Sequence, residues 1–258
     1  MPKINVSVVS YANSVPFAYG LMNSDIINDI NLSLDIPAVC ADKVINGTAD
    51  IGLIPIVEVL RLKNYEIVSD LCIGANDYVK TVILASNSPV EELSEIYLDY
   101  QSRSSVVLVK VLAQQHWKIE PNWICASEGF ESKTITGKTG AVIIGDRTFS
   151  IQSKYKYDLA HEWKTLTGLP FVFAAWVSNK KIDETFKKRF NNALHFGIQN
   201  IEAAARHFKN SLTQNVDIVD YLKNNINYKL DAPKHQAMEL FLKYAQEYKE
   251  LAQKPIVP

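Results

Sequence analysis

Val6-Ser-Val-Val-Ser-Tyr-Ala-Asn-Ser-Val-Pro16, answered later by Ala49-Asp-Ile-Gly-Leu-Ile-Pro55, decides how this chain folds. Each is a β-branched apolar run that stops at small polar residues. In the first, a proline follows within reach of a helix start. A buried parallel strand hands over to a loop and a helix N-terminus in this way, and α/β sheets bind ligands at such places. Two such strands early in the chain predict a cleft of strand ends and unpaired backbone N–H groups, a setting that suits anions.

Outward from these runs, Ile4–Ser10 reads as a strand and Pro16–Met22 as a short helix with its proline in the first turn. Ala38–Asn46 reads as a helix closed by Gly47, Asp50–Ile54 as a buried strand and Ile56–Leu62 as the helix after it. This βαβα alternation predicts α/β architecture. Thr81–Ala85, Ile96–Asp99, Ala141–Ile144 and Phe171–Val177 are further strands. Val106–Leu112 is rich in valine, and the hydroxyls before it together with Lys110, Gln114 and Gln115 toward its end favour helix. From residue 184 the pattern turns helical over Glu184–Phe208, with Gly197 as its weak point, then over Val216–Leu222 and Pro233–Leu251. No flexible linker separates these parts. Thr81–Ala85 and Phe171–Val177 are the candidate crossings between two lobes, residues 1–85 with 176–258 and an inserted 86–175.

The 258 residues, 47% of them apolar, can build one large core or two modest ones. A net charge of −1 gives no pull toward nucleic acid or membrane, and Lys187-Lys188-Arg189 reads as a solvated helix face. No secretory leader pattern follows Met1, and no apolar run reaches the roughly 18 residues of a membrane span. Three scattered cysteines, Cys40, Cys72 and Cys125, read as reduced thiols, so the expected compartment is cytoplasmic.

Four polar clusters follow apolar strands: Ser10 to Ser14, Ser86 to Ser88, Ser102 to Ser105, and Gly145-Asp146. Taken singly, each is as readily a set of helix caps. Taken together in a two-lobed protein, the first faces the last two across the cleft, with Ser86 at the crossing. The five histidines show no ligand spacing, and no phosphate-cradling glycine motif occurs. Glu58 reads equally as a cleft residue or a solvated one.

Ser10-Tyr-Ala-Asn-Ser-Val-Pro-Phe17, Ala49-Asp-Ile-Gly-Leu-Ile-Pro55, Leu98-Asp-Tyr-Gln-Ser-Arg-Ser-Ser105, Ile144-Gly-Asp146 and Thr167-Gly-Leu-Pro-Phe-Val-Phe-Ala-Ala-Trp176 occur in this order. Together they resemble the MqnA family, the chorismate dehydratases of the futalosine route to menaquinone. The resemblance runs from residue 4 to about 178. A sister family, the cyclic dehypoxanthinylfutalosine synthases, carries a catalytic histidine where this chain reads Ile144-Gly-Asp-Arg147. Ala12 stands where the family usually has leucine, and Arg147-Thr-Phe149 where it has a small residue and leucine.

The resemblance implies a type II periplasmic-binding-protein-like fold: two α/β lobes, two crossover strands and the ligand between them. It implies a lyase that removes water from chorismate with no cofactor and no metal. Asn13, Ser86 and Asp146 are the implied catalytic residues. Tyr11, Ser14, Pro55, Thr81, Ser104, Ser105 and Gly145 are implied to bind substrate, with a carboxylate at Ser104 and Ser105. A non-catalytic binder of small carboxylates and the sister cyclase are the alternatives. The oligomeric state stays open, a homodimer among the options.

Overall fold

A computed structural model of the chain describes residues 3–132, 135–208 and 213–247. The first half of the chain builds β1 (Ile4–Val9), α1 (Val15–Met22), β2 (Ile30–Asp35), α2 (Pro37–Ile45), β3 (Ile51–Pro55), β4 (Glu66–Ala75), β5 (Val82–Ser86), β6 (Glu95–Leu98) and α3 (Ser104–Leu112). The second half builds β7 (Asn122–Cys125), β8 (Thr139–Ile144), β9 (Tyr155–Asp158), α4 (Leu159–Thr167), β10 (Phe171–Ser178), α5 (Glu184–Gln199), α6 (Ile201–His207), α7 (Ile218–Asn224), β11 (Asn227–Lys229) and α8 (Ala232–Glu247).

Two mixed sheets result. The first has six strands in the order β11-β4-β10-β3-β1-β2, and the second has five in the order β7-β6-β8-β5-β9. β1 pairs in parallel with β2 and β3, as the opening runs predict, while β10 lies antiparallel to both β3 and β4. In the second sheet β6 is parallel to β7 and β8, and β5 is antiparallel to β8 and β9.

β5 and β8 show why some strands here are apolar throughout. Val82, Leu84, Val142 and Ile144 face the main core, whereas Ile83, Ala85, Ala141 and Ile143 face a smaller apolar cluster with Ala126 and Phe130. Alternate residues point to opposite faces, so a strand covered on both sides has no polar positions to spare. The main core is continuous across the two sheets, from Val8 and Leu53 through Trp176 to Val106 and Val142. Trp176 meets Phe17 and Phe190 edge-on, with ring centres 5.6 and 5.0 Å apart.

Several expectations change. β5 pairs on both sides within the second sheet and is not itself a crossing. The chain passes between the sheets at residues 76–81 and returns through α4 into β10, which pairs only in the first sheet. The helix expected over 184–208 is two helices broken at Asn200, which leaves helical geometry at φ −120°. Of the helix expected to reach Leu251, the part beyond residue 247 lies outside the described residues. Glu58 is buried and ion-paired to Arg61 at 2.6 Å. No helix among the described residues is long and apolar enough to cross a membrane.

Gly197, expected as a weak point, is instead a contact point. A Cβ there would stand 1.8 Å from the Pro16 carbonyl oxygen, and one on Gly20 would stand 2.0 Å from that of Ala193. α1 and α5 therefore touch backbone to backbone, and α1 carries the loop of the first cluster. Gly197→Ala is expected to cost roughly 3 kcal/mol through overpacking, or about 6–12 °C in Tm for a chain of this size. A melt unchanged to within a degree would show that the two helices do not depend on this approach.

Candidate active site

The chain leaves β1 through a tight turn that the first polar cluster builds. Ser14 N–H donates to the Tyr11 carbonyl at 3.1 Å, and the Ser14 hydroxyl donates to the Tyr11 carbonyl at 2.9 Å and to that of Val9. The following proline, Pro16, sits in the first turn of α1, where its missing N–H costs nothing.

Across from this turn stands the start of α3. Asp99 at the end of β6 is fully buried and accepts the N–H groups of Gln101 and Ile144, both at 2.9 Å, and Arg147 Nη2 at 2.6 Å. It thereby joins the loop before α3 to the last residue of β8. Ser102 accepts the Ser105 N–H at 3.2 Å and caps the helix, leaving Arg103 at the N-terminal boundary.

The two walls meet at several points. Ala12 N–H donates to Asp146 Oδ1 at 3.0 Å, Val57 N–H to Ser104 Oγ at 3.3 Å, and the Tyr11 hydroxyl to Gln101 Oε1. Burial, with Asp99 nearby, raises the Tyr11 pKa well above its ordinary value, so the phenol stays a donor. Gly145 takes φ +69°, and a Cβ on it would stand 2.8 Å from the Tyr11 ring, so only glycine lets that ring lie against the end of β8.

Between the walls lies a cavity of about 50 Å³. Tyr11, Asn13 and Pro55 line it from the first sheet, with Thr81 at the crossing; Ser104, Ser105 and Gly145 line it from the second. The Thr81 hydroxyl shares a 2.7 Å hydrogen bond with Tyr221. Ser102 and Arg103 complete the polar lining, and among the described residues no aspartate or glutamate lines the cavity.

Two features give this space its chemistry. Arg103 is 6% exposed and stands at the N-terminus of α3, so a fixed positive charge adds to the positive end of the helix dipole. Its Nη2 lies 3.8 Å from Asp42 Oδ2, on the first sheet's side. Opposite, Asn13 Oδ1 is buried with no hydrogen-bond partner. A buried amide oxygen without a partner costs about 1–3 kcal/mol, and here it lies on a residue that lines the cavity.

Three expected residues fall outside the lining. Ser86 lies at the far end of β5, paired with Gly140 and Tyr155, and its hydroxyl donates to the Ser88 carbonyl at 2.6 Å. Ligands gather at the carboxyl ends of parallel strands, but β5 runs antiparallel to β8, so its amino end meets the cleft. The Ser14 hydroxyl is turned inward to its own turn. Asp146 is buried and commits one carboxylate oxygen to Ala12 N–H, a tie between the walls. Arg103 and Gln101 join the site without having been expected there. The sequence does carry a signal for them, an arginine inside a hydroxyl-rich helix entrance, Gln101-Ser-Arg-Ser-Ser105.

The sequence matches, over residues 4–247, the profile of a family described as Menaquinone biosynthesis. The chain belongs to that family. The chain is 26% identical over 251 residues to the chorismate dehydratase of Campylobacter jejuni subsp. jejuni serotype O:23/36 (strain 81-176), covering 91% of this chain and 94% of that one. Among solved structures it is similar to protein AF1704 from Archaeoglobus fulgidus, with TM-score 0.72, 13% identity, and 96% and 98% of the two chains covered. An ABC transporter protein from Parabacteroides distasonis superposes with TM-score 0.63 at 18% identity, covering 100% and 99%. The alkanesulfonate-binding protein SsuA from Xanthomonas axonopodis pv. citri, bound to MOPS, does so with TM-score 0.60 at 11% identity, covering 100% and 95%. The family member therefore has the mixed α/β, type II-like binding-protein fold that its sequence led us to expect.

Proposed function

We propose that this protein is a chorismate dehydratase, converting chorismate to 3-[(1-carboxyvinyl)oxy]benzoate and water on the futalosine route to menaquinone. Family membership and the named relative support the reading. The observation that carries it is the cavity itself: a buried arginine at a helix N-terminus on one wall, an asparagine whose amide oxygen is buried without a partner on the other, and no lining carboxylate among the described residues.

Chorismate is a dianion. Loss of its C4 hydroxyl and of the proton on the ether-bearing ring carbon leaves a benzene ring. One water departs, oxidation state is unchanged, and aromatisation supplies the driving force. The protein then has to hold a carboxylate, orient the ring and ease one hydroxyl out. Arg103, with Ser105 and the α3 N–H groups, holds the carboxylate. Asn13 faces the ring and donates its amide N–H to the departing hydroxyl. A neutral amide is a poor base, so a carboxylate of the substrate itself takes the ring proton and passes it to the departing hydroxyl, which leaves as water while Asn13 holds the geometry. Positioning and oriented dipoles of this kind account for large rate effects without a titrating side chain.

The test is purified protein with chorismate and EDTA, followed by chromatography with mass detection. A product lighter by one water with an aromatic ultraviolet spectrum supports the assignment. Unchanged chorismate with a clear thermal shift would overturn it in favour of a binding protein.

A further inference from the structure

Asn13 sits on a three-residue turn, Ala12–Ser14, and so short a turn has little stiffness of its own. Its direction is set by the peptide planes on either side, and each is held. The plane between Tyr11 and Ala12 is gripped at both ends, its carbonyl by Ser14 and its N–H by Asp146. The carbonyl of the next plane, that of Ala12, accepts the Val15 N–H. The plane between Asn13 and Ser14 has its N–H on the Tyr11 carbonyl at 3.1 Å and its carbonyl on the Tyr228 hydroxyl at 2.9 Å.

Tyr228 comes from β11, an edge strand of the first sheet and 215 residues away in sequence. Its ring is buried edge-on against Phe17 of α1, with centres 5.3 Å apart, so the hydroxyl is aimed by packing before it donates. Burial also keeps that hydroxyl protonated, and therefore a donor, across the working pH range.

We propose that Tyr228 is a positioning residue for the reaction: its hydroxyl, by fixing the peptide plane that follows Asn13, fixes the direction in which the Asn13 amide meets the substrate. The inference rests on the dehydratase reading for its kinetic consequence. Its structural content, that Tyr228 holds Asn13, does not depend on that reading. Losing one end of the grip lets the plane rotate, and a displacement of about 1 Å at a reacting group can cost on the order of a hundredfold in rate.

Tyr228→Phe keeps the ring and its contact with Phe17 and removes only the hydroxyl. The expected result is a fall in kcat of about 10- to 100-fold with KM nearly unchanged, since the carboxylate wall is untouched. In an Asn13→Ala background the same substitution is expected to change kcat no further, because a residue that acts through Asn13 has nothing left to act on. The side-chain amide signals of Asn13, identified by their loss in Asn13→Ala, are expected to move in the nuclear magnetic resonance spectrum of Tyr228→Phe without substrate. Wild-type kcat in the single variant, or effects that multiply in the double variant, would overturn the proposal. If the wild-type protein leaves chorismate unchanged, the dehydratase reading fails by itself. The amide signals then decide: unmoved, they overturn the hold of Tyr228 on Asn13; displaced, they support it.

Discussion

Replacing Asn13 with alanine is expected to lower kcat for chorismate by about a thousandfold, the scale seen when one oriented donor at a reacting centre is lost. Stability should move the other way. Asn13 Oδ1 has no partner in the folded protein, so its removal takes away an uncompensated buried polar atom. Tm is therefore expected to stay constant or rise slightly. Dissociation constants by calorimetry should also hold, because Arg103 and the α3 N-terminus remain. The combination separates a residue that serves chemistry from one that serves the fold. Near-normal turnover, or an Asn13→Ala protein that melts early, would remove Asn13 from the mechanism.

The second large effect is expected at Arg103. Arg103→Leu keeps the volume of the buried stem and deletes the charge. Losing one side of a buried, hydrogen-bonded charge pair costs roughly 2–5 kcal/mol, which is about 30- to 5,000-fold in affinity. KM should rise on that scale while kcat falls much less. The same substitution removes the ion pair with Asp42. At 3.8 Å that pair is long, and Asp42 is 44% exposed, so it contributes little to the outcome. Arg103→Lys should restore only part of the binding, because an ammonium point charge does not reproduce the planar fork that meets a carboxylate. An unchanged KM in Arg103→Leu would place the carboxylate elsewhere.

The strands that carry the cleft were legible because their burial is written locally. Val6 to Val9 and Ile51 to Pro55 are mostly apolar, buried runs, and both became parallel strands of the first sheet. β2, β4, β7, β9 and β11 were not read from the sequence, although β4 is a long, mostly buried interior strand. Ile30-Asn-Leu-Ser-Leu-Asp35, Asn122-Trp-Ile-Cys125, Tyr155-Lys-Tyr-Asp158 and Asn227-Tyr-Lys229 are short, half-polar edge strands. Their conformation comes from a neighbour distant in sequence, which no local pattern records. The site divides on the same line. Tyr11, Asn13, Ser104, Ser105 and Gly145 sit where their own strand or helix ends, and they converge on the cavity. Ser86 also ends a strand, but strand direction is a property of the sheet, and here it carried the residue away from the cleft. Tyr228 had no legible signal, because its meaning lies wholly in a contact with the other end of the chain.

The cavity between the walls, about 50 Å³, is well short of the roughly 300 Å³ at the small end of ligand pockets. No substrate the size of chorismate reaches Arg103 and Asn13 while the links at Ala12, Val57 and Tyr11 hold. On the dehydratase reading, each catalytic cycle therefore contains two events that are not chemistry, one parting of the walls to admit substrate and one to let product go. Their frequency is a ceiling on turnover that no improvement at the reacting carbon can lift. Substitutions that loosen the links at Val57 and Tyr11 are where a faster protein would be found; the link at Ala12 also holds the turn that carries Asn13, and loosening it would cost chemistry.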